Sequence, residues 1–310
     1  MEQTGQRVTR TAAILICLAL CFGPAACKHH HGSLDVSMYQ HRDTKNLVHF
    51  VYKAAQRLAK RGATGIEHLR KNRHLSKKKD MYLYIYDTHG NCLFHAGMQN
   101  LEGKNLFDVT DKNGKPIYQL LVQALANPDN PHAWVHYSWW EPGKFYPAPK
   151  SSCHFKVTAP DGQTYIAGGG LTYPHEEREF IRIIVDQAVR LLREKGGDAL
   201  DQIADPVSQY NYREVRVFVL RPDGELLISP DINSDFSQTN LLAIADETGH
   251  KPFQAALADL AEKDTTWQVF MAKNRYKREF TKKSLYMRKT TLNGQTVYVA
   301  AITDLPEPPF

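Results

Sequence analysis

Apolar residues from Leu47 onward fall at Leu47, Phe50, Val51, Ala54, Ala55, Leu58 and Ala59, with Lys53, Arg57, Lys60 and Arg61 between them. That spacing predicts an amphipathic helix. A second helical stripe runs through Phe180, Ile183, Ile184, Ala188, Leu191 and Leu192, and Gly196-Gly197 supplies its stop. After each helix the period changes. "MYLYIYD" from Met81 and "VRVFVL" from Val215 are rich in aromatic and β-branched residues and predict strands. A turn at His89-Gly90 or Asp223-Gly224 leads to a second strand in each half, Cys92-Leu93-Phe94 or Leu226-Leu227-Ile228. Short helices are expected over Ile117–Ala126 and Phe253–Ala261. Three strands then close each half. They are Trp134–Trp140, Cys153–Thr158 and Tyr165–Gly168, then Trp267–Met271, Ser284–Lys289 and Val297–Ile302.

The two halves are copies. "KNLFDVTDKNGKPIYQLLVQALA" from Lys104 answers to "TNLLAIADETGHKPFQAALADLA" from Thr239. Trp134 answers to Trp267, Lys150 to Lys283, and "DGQTYIA" from Asp161 to "NGQTVYVA" from Asn293, at an offset that stays between 132 and 136. Register held through successive blocks marks a duplication. Long helix, two strands, short helix, three strands describes an α+β module with one antiparallel sheet. One face of that sheet packs on the long helix. The connections from strand two to three and from strand three to four are expected to cover the other face, leaving a space for a small molecule.

A chain of 310 residues with 42% apolar content suits two domains of this kind. The net charge of +6 is mild, and Lys77-Lys78-Lys79 reads as a solvated loop, so nucleic acid is not an expected partner. Arg7 and Arg10 precede an apolar run from Ala12 to Phe22 that ends in Gly23-Pro24-Ala25-Ala26-Cys27. These are the parts of an export signal, too short to span a bilayer. Residues 1–27 are read as a signal peptide, and Ala25-Ala26-Cys27 resembles a bacterial lipoprotein cleavage box that would lipidate Cys27. Pro24 stands where that box has an aliphatic residue, so ordinary cleavage stays open. Residues 28–43, with His29-His30-His31, read as a tether. The mature chain is expected in the periplasm or cell envelope, held to the membrane by its lipid.

The stretch "YIYDTHGNCLFHAGMQNLEGKNLFDVTDKNGK" followed by "VHYSWWEPGKFYPAPKSS" resembles the extracellular Cache sensor domains of the single-Cache type 2 pattern. The shared features are Asp87 with Gly90, His95, Glu102 to Leu106, Asp111 with Gly114-Lys115, Tyr137 with Trp139 and Pro142, and Pro149-Lys150 with Ser152. The likeness covers residues 44–173 well and, through the repeat, 174–305 more weakly, which suggests a tandem (double) Cache arrangement with modules at 44–173 and 174–310. It implies two PAS-like modules, each with a five-stranded sheet in the order 2-1-5-4-3, a ligand pocket between sheet and cover, and extracellular sensing of small organic acids. In that order Cys92 and Cys153 lie on strands that are not neighbours, so two free thiols are expected. The second copy keeps Lys283 but has Phe270 for Tyr137, Ala272 for Trp139 and Arg275 for Pro142, so it reads as a structural or relaying module.

A carboxylate ligand needs a cation and neutral donors away from water. Lys150 offers the cation. Tyr137 offers a hydroxyl, and Trp139, two residues on, shares its strand face, while Trp140 points the other way and is expected to pack. Tyr84 and His95 complete the candidate set. The same spacing also fits a filled core, with Lys150 lying along the rings at the surface. Asp87 and Asp111 are read as turn residues, because "DKNGK" lacks the ligand spacing of a calcium loop. The glycines Gly168-Gly169-Gly170 are read as a place of close packing or a bend. No catalytic, metal or cofactor signature is present. The expected function is extracytoplasmic binding of a small organic anion by a chain without its own output domain, presented to a membrane receptor or chemoreceptor. An envelope interaction protein, homodimeric through its long helices and with a vestigial pocket, is the alternative.

Overall fold

The computed structural model describes residues 34–127, 132–141, 143–230, 240–273 and 280–305. Cys27, the segment 1–27, the tether up to residue 33, Pro142 and Arg275 lie outside the described residues.

Helix α1 spans Arg42–Arg61, and its apolar stripe is the buried face: Leu47, Val48, Val51, Ala54, Ala55 and Leu58. Gly62 ends it at φ 50°, donating its N–H to the Leu58 carbonyl at 2.8 Å. The start of α1 is fastened from far away. Glu177, fully buried, accepts from the backbone N–H of Gln40 at 2.6 Å and of His41 at 2.9 Å. These are donors that the helix entry cannot satisfy itself.

From there the chain runs through α2 (Ala63–Lys71), β1 (Lys77–Lys78), β2 (Met81–Asp87), β3 (Cys92–His95), α3 (Ile117–Leu125), β4 (Ala133–Trp140), β5 (Pro147–Thr158) and β6 (Thr164–Thr172). The second run holds α4 (Arg178–Lys195), α5 (Ala199–Ala204), β7 (Asn211–Tyr212), β8 (Val215–Arg216), β9 (Phe218–Leu220) and β10 (Leu226–Ile228). It closes with α6 (Pro252–Glu262), β11 (Thr265–Lys273), β12 (Phe280–Leu292) and β13 (Gln295–Asp304).

The first sheet has the order β1-β2-β6-β5-β4, with β3 also on β2, and the second the order β10-β9-β13-β12-β11. Counted within each half, both are 2-1-5-4-3 and antiparallel throughout. The registers repeat as well. Trp134 faces Cys153 and Tyr137 faces Lys150; Trp267 faces Tyr286 and Phe270 faces Lys283. The fold is thus the expected one, two PAS-like modules with a long helix before each sheet.

Several elements depart from expectation. β5 begins at Pro147, so the connection from β4 is shorter than expected; of its described residues, Glu141 and Lys144 line a cleft with Tyr82 and Gly97. The cover comes from the segment after β3 and from α3, whose Tyr118, Leu120, Leu121 and Ala124 pack on Ala133, Val135 and Ile166. Lys150 is therefore a strand residue rather than part of a capping loop. β6 runs on through Gly168, Gly169 and Gly170 to Thr172. Close packing explains the glycines: a Cβ on Gly169 would stand 2.9 Å from Val51 Cγ2 and 3.4 Å from Leu47 Cδ1. The strand expected from Val215 breaks at Val217, and its start pairs with β7 as a separate hairpin.

In the second module the space between sheet and cover is filled. Phe218, Leu220, Leu241, Phe253, Leu260, Phe270, Leu285 and Met287 form one buried cluster. Burying each such side chain stabilises the fold by about 1.5–3 kcal/mol. Cys92 and Cys153 are both buried and unpaired, as expected from their strands. Among the described residues, no helix is long and apolar enough to cross a membrane.

Candidate ligand-binding site

Alternation along β2 sends Tyr82, Tyr84 and Tyr86 to the face away from α1. They line a cleft with His95 from β3, Tyr118 from α3, Tyr137 and Trp139 from β4, and His154 from β5. Leu106, Val109, Ile117 and Leu121 close it from above. The open volume is about 20 Å³, room for a single water.

The hydroxyls in the wall are mostly engaged. Tyr84 shares a hydrogen bond of 2.9 Å with His154 Nε2, and Tyr137 one of 2.8 Å with Ser152 Oγ. Burial raises both phenols further above their usual range. His95 Nδ1 accepts from the backbone N–H of Met98 at 2.8 Å, so in the neutral ring the proton sits on Nε2. Burial, followed by the charge of Lys150, pushes this imidazole down to about 3, against the pull of Glu102. Glu102 itself is held by Arg73 Nη1 at 2.6 Å and by the backbone N–H of His95 at 2.9 Å.

Lys150 stands at the Tyr82 end of this face rather than in the wall of the cleft. It is only 4% exposed. Its side chain crosses β6 over Gly170, where a Cβ would collide with Lys150 Cε and Ser152 Oγ. Nζ lies 3.7 Å from the centroid of the Tyr82 ring. No oxygen accepts from it, and no carboxylate pairs with it, among the described residues. Burial lowers its pKa to about 7, and only the field of Glu141 opposes that.

The twin lysine is solved differently. Lys150 faces Thr172 on the last strand of its sheet, whereas Lys283 faces Asp304. Lys283 Nζ is paired with the Asp304 carboxylate. At one topological position the second module carries its own counter-ion and the first does not.

Of the residues singled out from sequence, Tyr137, Trp139, Tyr84 and His95 share the cleft, and Lys150 lies at its end. Cys27 lies outside the described residues. Trp140 does turn away from the cleft, but it is 47% exposed and packs little. Sequence reasoning did not single out His154, Tyr118 or Ser152 as site residues. Ser152 and His154 follow Lys150 at the strand period, the one local signal that points to them. Asp87 and Asp111 are turn residues, as expected. Asp87 Oδ1 accepts from the N–H of His89 and of Asn91, each at 2.9 Å. Asp111 Oδ1 accepts from Asn113 at 2.7 Å and Lys115 at 3.0 Å. Among the described residues no three His, Cys, Asp or Glu side chains are placed to hold a metal.

The Single Cache domain 2 family profile matches residues 39–161. Among solved structures, a periplasmic sensor domain of a chemotaxis protein is 25% identical over 42% of this chain and 90% of its own, with a TM-score of 0.32. A Cache chemosensory domain described for carboxylic acid recognition is 20% identical over 43% and 94%, TM-score 0.35. The ligand-binding domain of an amino acid chemoreceptor of Pseudomonas aeruginosa, in complex with L-Arg, is 13% identical over 84% and 87%, TM-score 0.30. Likenesses at these scores carry no weight of their own. The match falls on the first module, whose sheet order and cleft are those described above, and that module is of the single Cache domain 2 type.

Proposed function

We propose that the first module binds a small organic anion, its carboxylate drawn to Lys150 and its tail lodged among Tyr82, Tyr84, Tyr137 and Trp139. The chain then acts outside the cytoplasm as a ligand-binding or sensing protein. One observation carries this: Lys150 is buried without a counter-ion, while its twin Lys283 has Asp304. A buried ammonium with no partner is costly, and an incoming carboxylate removes that cost. Neutral His95 Nε2–H is a second donor near the same end. Losing a charge-assisted hydrogen bond to Lys150 would weaken binding by about 1.5–3 kcal/mol, roughly 10- to 150-fold.

The family match supports a small-molecule ligand, and the run from Arg7 to Cys27 supports export. Lipidation at Cys27 is a finer proposal. A labelled fatty acid should mark the wild type and leave Cys27→Ser unmarked. The cleft's small volume favours a second reading, a vestigial pocket in an interaction protein. On the ligand reading, a guest enters by lifting Leu106 and Val109.

Thermal-shift measurements with short mono- and dicarboxylates and amino acids, at about pH 6 where Lys150 is charged, separate the two. Wild type should melt higher with at least one of them. Lys150→Ala should lose that shift, and so should Thr172→Asp, which supplies the counter-ion that Lys283 has. An equal shift in all three would place the anion elsewhere. No shift in any of them would favour the vestigial pocket.

A further inference from the structure

A second cleft, of about 400 Å³, opens between the two modules beside the edge strand β4. It is wider and more polar than the tyrosine-lined one, and Tyr137 borders both. Its charged lining is lopsided: Lys115, Lys150, Arg213 and Arg216 against one carboxylate, Asp111. Asp111 is turned to backbone amides, with Oδ2 accepting from the N–H of Ser138 at 2.9 Å besides the two bonds to Oδ1.

Lys115 is likewise occupied. Its Nζ donates to the carbonyls of Asn211, of Ser208 at 3.0 Å and of His136 at 3.4 Å, so it contributes charge and no free donor. The two arginines differ. Both sit on the β7–β8 hairpin. Arg213 Nη1 donates to the Pro174 carbonyl at 2.8 Å, and Arg216 Nη1 to those of Arg213 and Val215, each at 2.8 Å. Each guanidinium carries five donors, and the carbonyls just named take only those on Nη1.

Glu176 forms an ion pair with Arg213 at 4.0 Å, and its Oε2 also accepts from Thr303 Oγ1 at 2.5 Å and the Asp304 N–H at 3.2 Å. Asp205 Oδ1 accepts from the N–H of Val207 at 3.0 Å. Arg213 also has φ 50°, a left-handed backbone that a residue with a Cβ adopts at a cost and that here fixes the turn.

We propose that this junction cleft is a second ligand site, for a compact dianionic oxyanion of the phosphate class held between Arg213 and Arg216. Paired guanidinium forks match such oxygens in geometry as well as charge. The junction cleft shares Tyr137 and Lys150 with the carboxylate pocket but rests on the two arginines, so the two readings can fail separately.

Calorimetric titration with inorganic phosphate tests it, on the full chain and on two variants whose melting curves show them folded. Wild type should bind saturably. Arg213→Gln with Arg216→Gln should bind at least about tenfold more weakly, while Thr172→Asp, which leaves both arginines in place and neutralises only Lys150 at the margin of the cleft, should lose much less. If the double substitution unfolds the chain, the single variants Arg213→Gln and Arg216→Gln should each weaken binding in the same sense. Vesicles of phosphatidic acid in phosphatidylcholine, run alongside, tell a lipid headgroup from a soluble anion. Binding of either probe that needs the arginines supports the site. Equal binding by wild type and arginine variants, or binding of neither probe, overturns it.

Discussion

A lysine that is 4% exposed and holds no counter-ion among the described residues would make the proposed anion binding a proton question. Folded, Lys150 loses its proton at about 7, while in the unfolded chain it keeps it to its ordinary 10.5. Between those values the unfolded chain binds the extra proton, so the stability of the free protein rises with pH. Lys115, pushed down to about 8 by burial, adds to the rise in the same direction. Anion affinity moves the other way. It should be flat below about pH 7 and fall above it, approaching tenfold per unit, because only the charged lysine attracts a carboxylate. Calorimetry at about pH 8 in two buffers of different ionisation enthalpy should show proton uptake on binding in the wild type, and none for Lys150→Met. A ligand that binds with no proton uptake in the wild type does not sit on Lys150. At this scale the sequence was informative in part. Tyr137 and Trp139 share a face by strand alternation, which can be read off directly. The burial of Lys150 cannot, because it depends on Gly170 of another strand leaving room for the lysine's methylenes.

Strand β5 shows where reading elements from sequence stops. Pro147 and Pro149 suggest a loop, since proline gives no N–H to a ladder. The last residue of β5 toward its N-terminus to pair with β6 is Lys150, opposite Thr172; beyond it the only bond on that side among the described residues is the Pro149 carbonyl accepting from the Tyr173 N–H at 2.9 Å, which needs no proline donor. A strand flanked on one side only tolerates proline. That condition belongs to the sheet and is invisible locally. The long helices and the sheet order were legible because the apolar period is long and the repeat states it twice. The β7–β8 hairpin was not, because two-residue strands carry no period. The contact of α1 with β6 yields a test. Gly169→Ala places a Cβ 2.9 Å from Val51 Cγ2 and should destabilise the fold by about 1–3 kcal/mol in urea unfolding. Combined with Val51→Ala the cost should shrink, giving a coupling of about 0.5–3 kcal/mol. Additive effects would mean that α1 does not pack on this glycine.

The molecule as a whole is acid-sensitive for a reason spread over the first sheet. Burial holds His95, His136 and His154 down to about 3 and His132 to about 4. Below about 6.5 the unfolded chain takes up protons that the folded one refuses, so stability is lost as pH falls from there. Urea midpoints measured across that range should drop steadily before any carboxylate titrates. The two modules are also mechanically joined at the cover of the tyrosine cleft. Asp111 grips β4 at Ser138, between Tyr137 and Trp139, and four residues on Lys115 reaches the carbonyls of Ser208 and Asn211 in the second module. The duplicated loop keeps the grip, with Asp246 Oδ2 accepting from the N–H of Met271 at 3.3 Å, but has His250 in the lysine's place. Among the described residues, the first copy's lysine reaches across and no bond of His250's side chain does. On the proposed ligand reading, a guest that lifts the cover should strain or shift this tie, so ligand is expected to alter the second module through it. Lys115→Met should free the cover, so anion affinity rises while global stability falls by about 1–3 kcal/mol, because buried carbonyls lose their donor. Hydrogen exchange provides the decisive readout. In the wild type, ligand should alter protection of the amides from Asp205 to Tyr212, and in the variant that change should vanish although the ligand still binds. Persistence of the change without Lys115 would show that the signal passes through the helices instead.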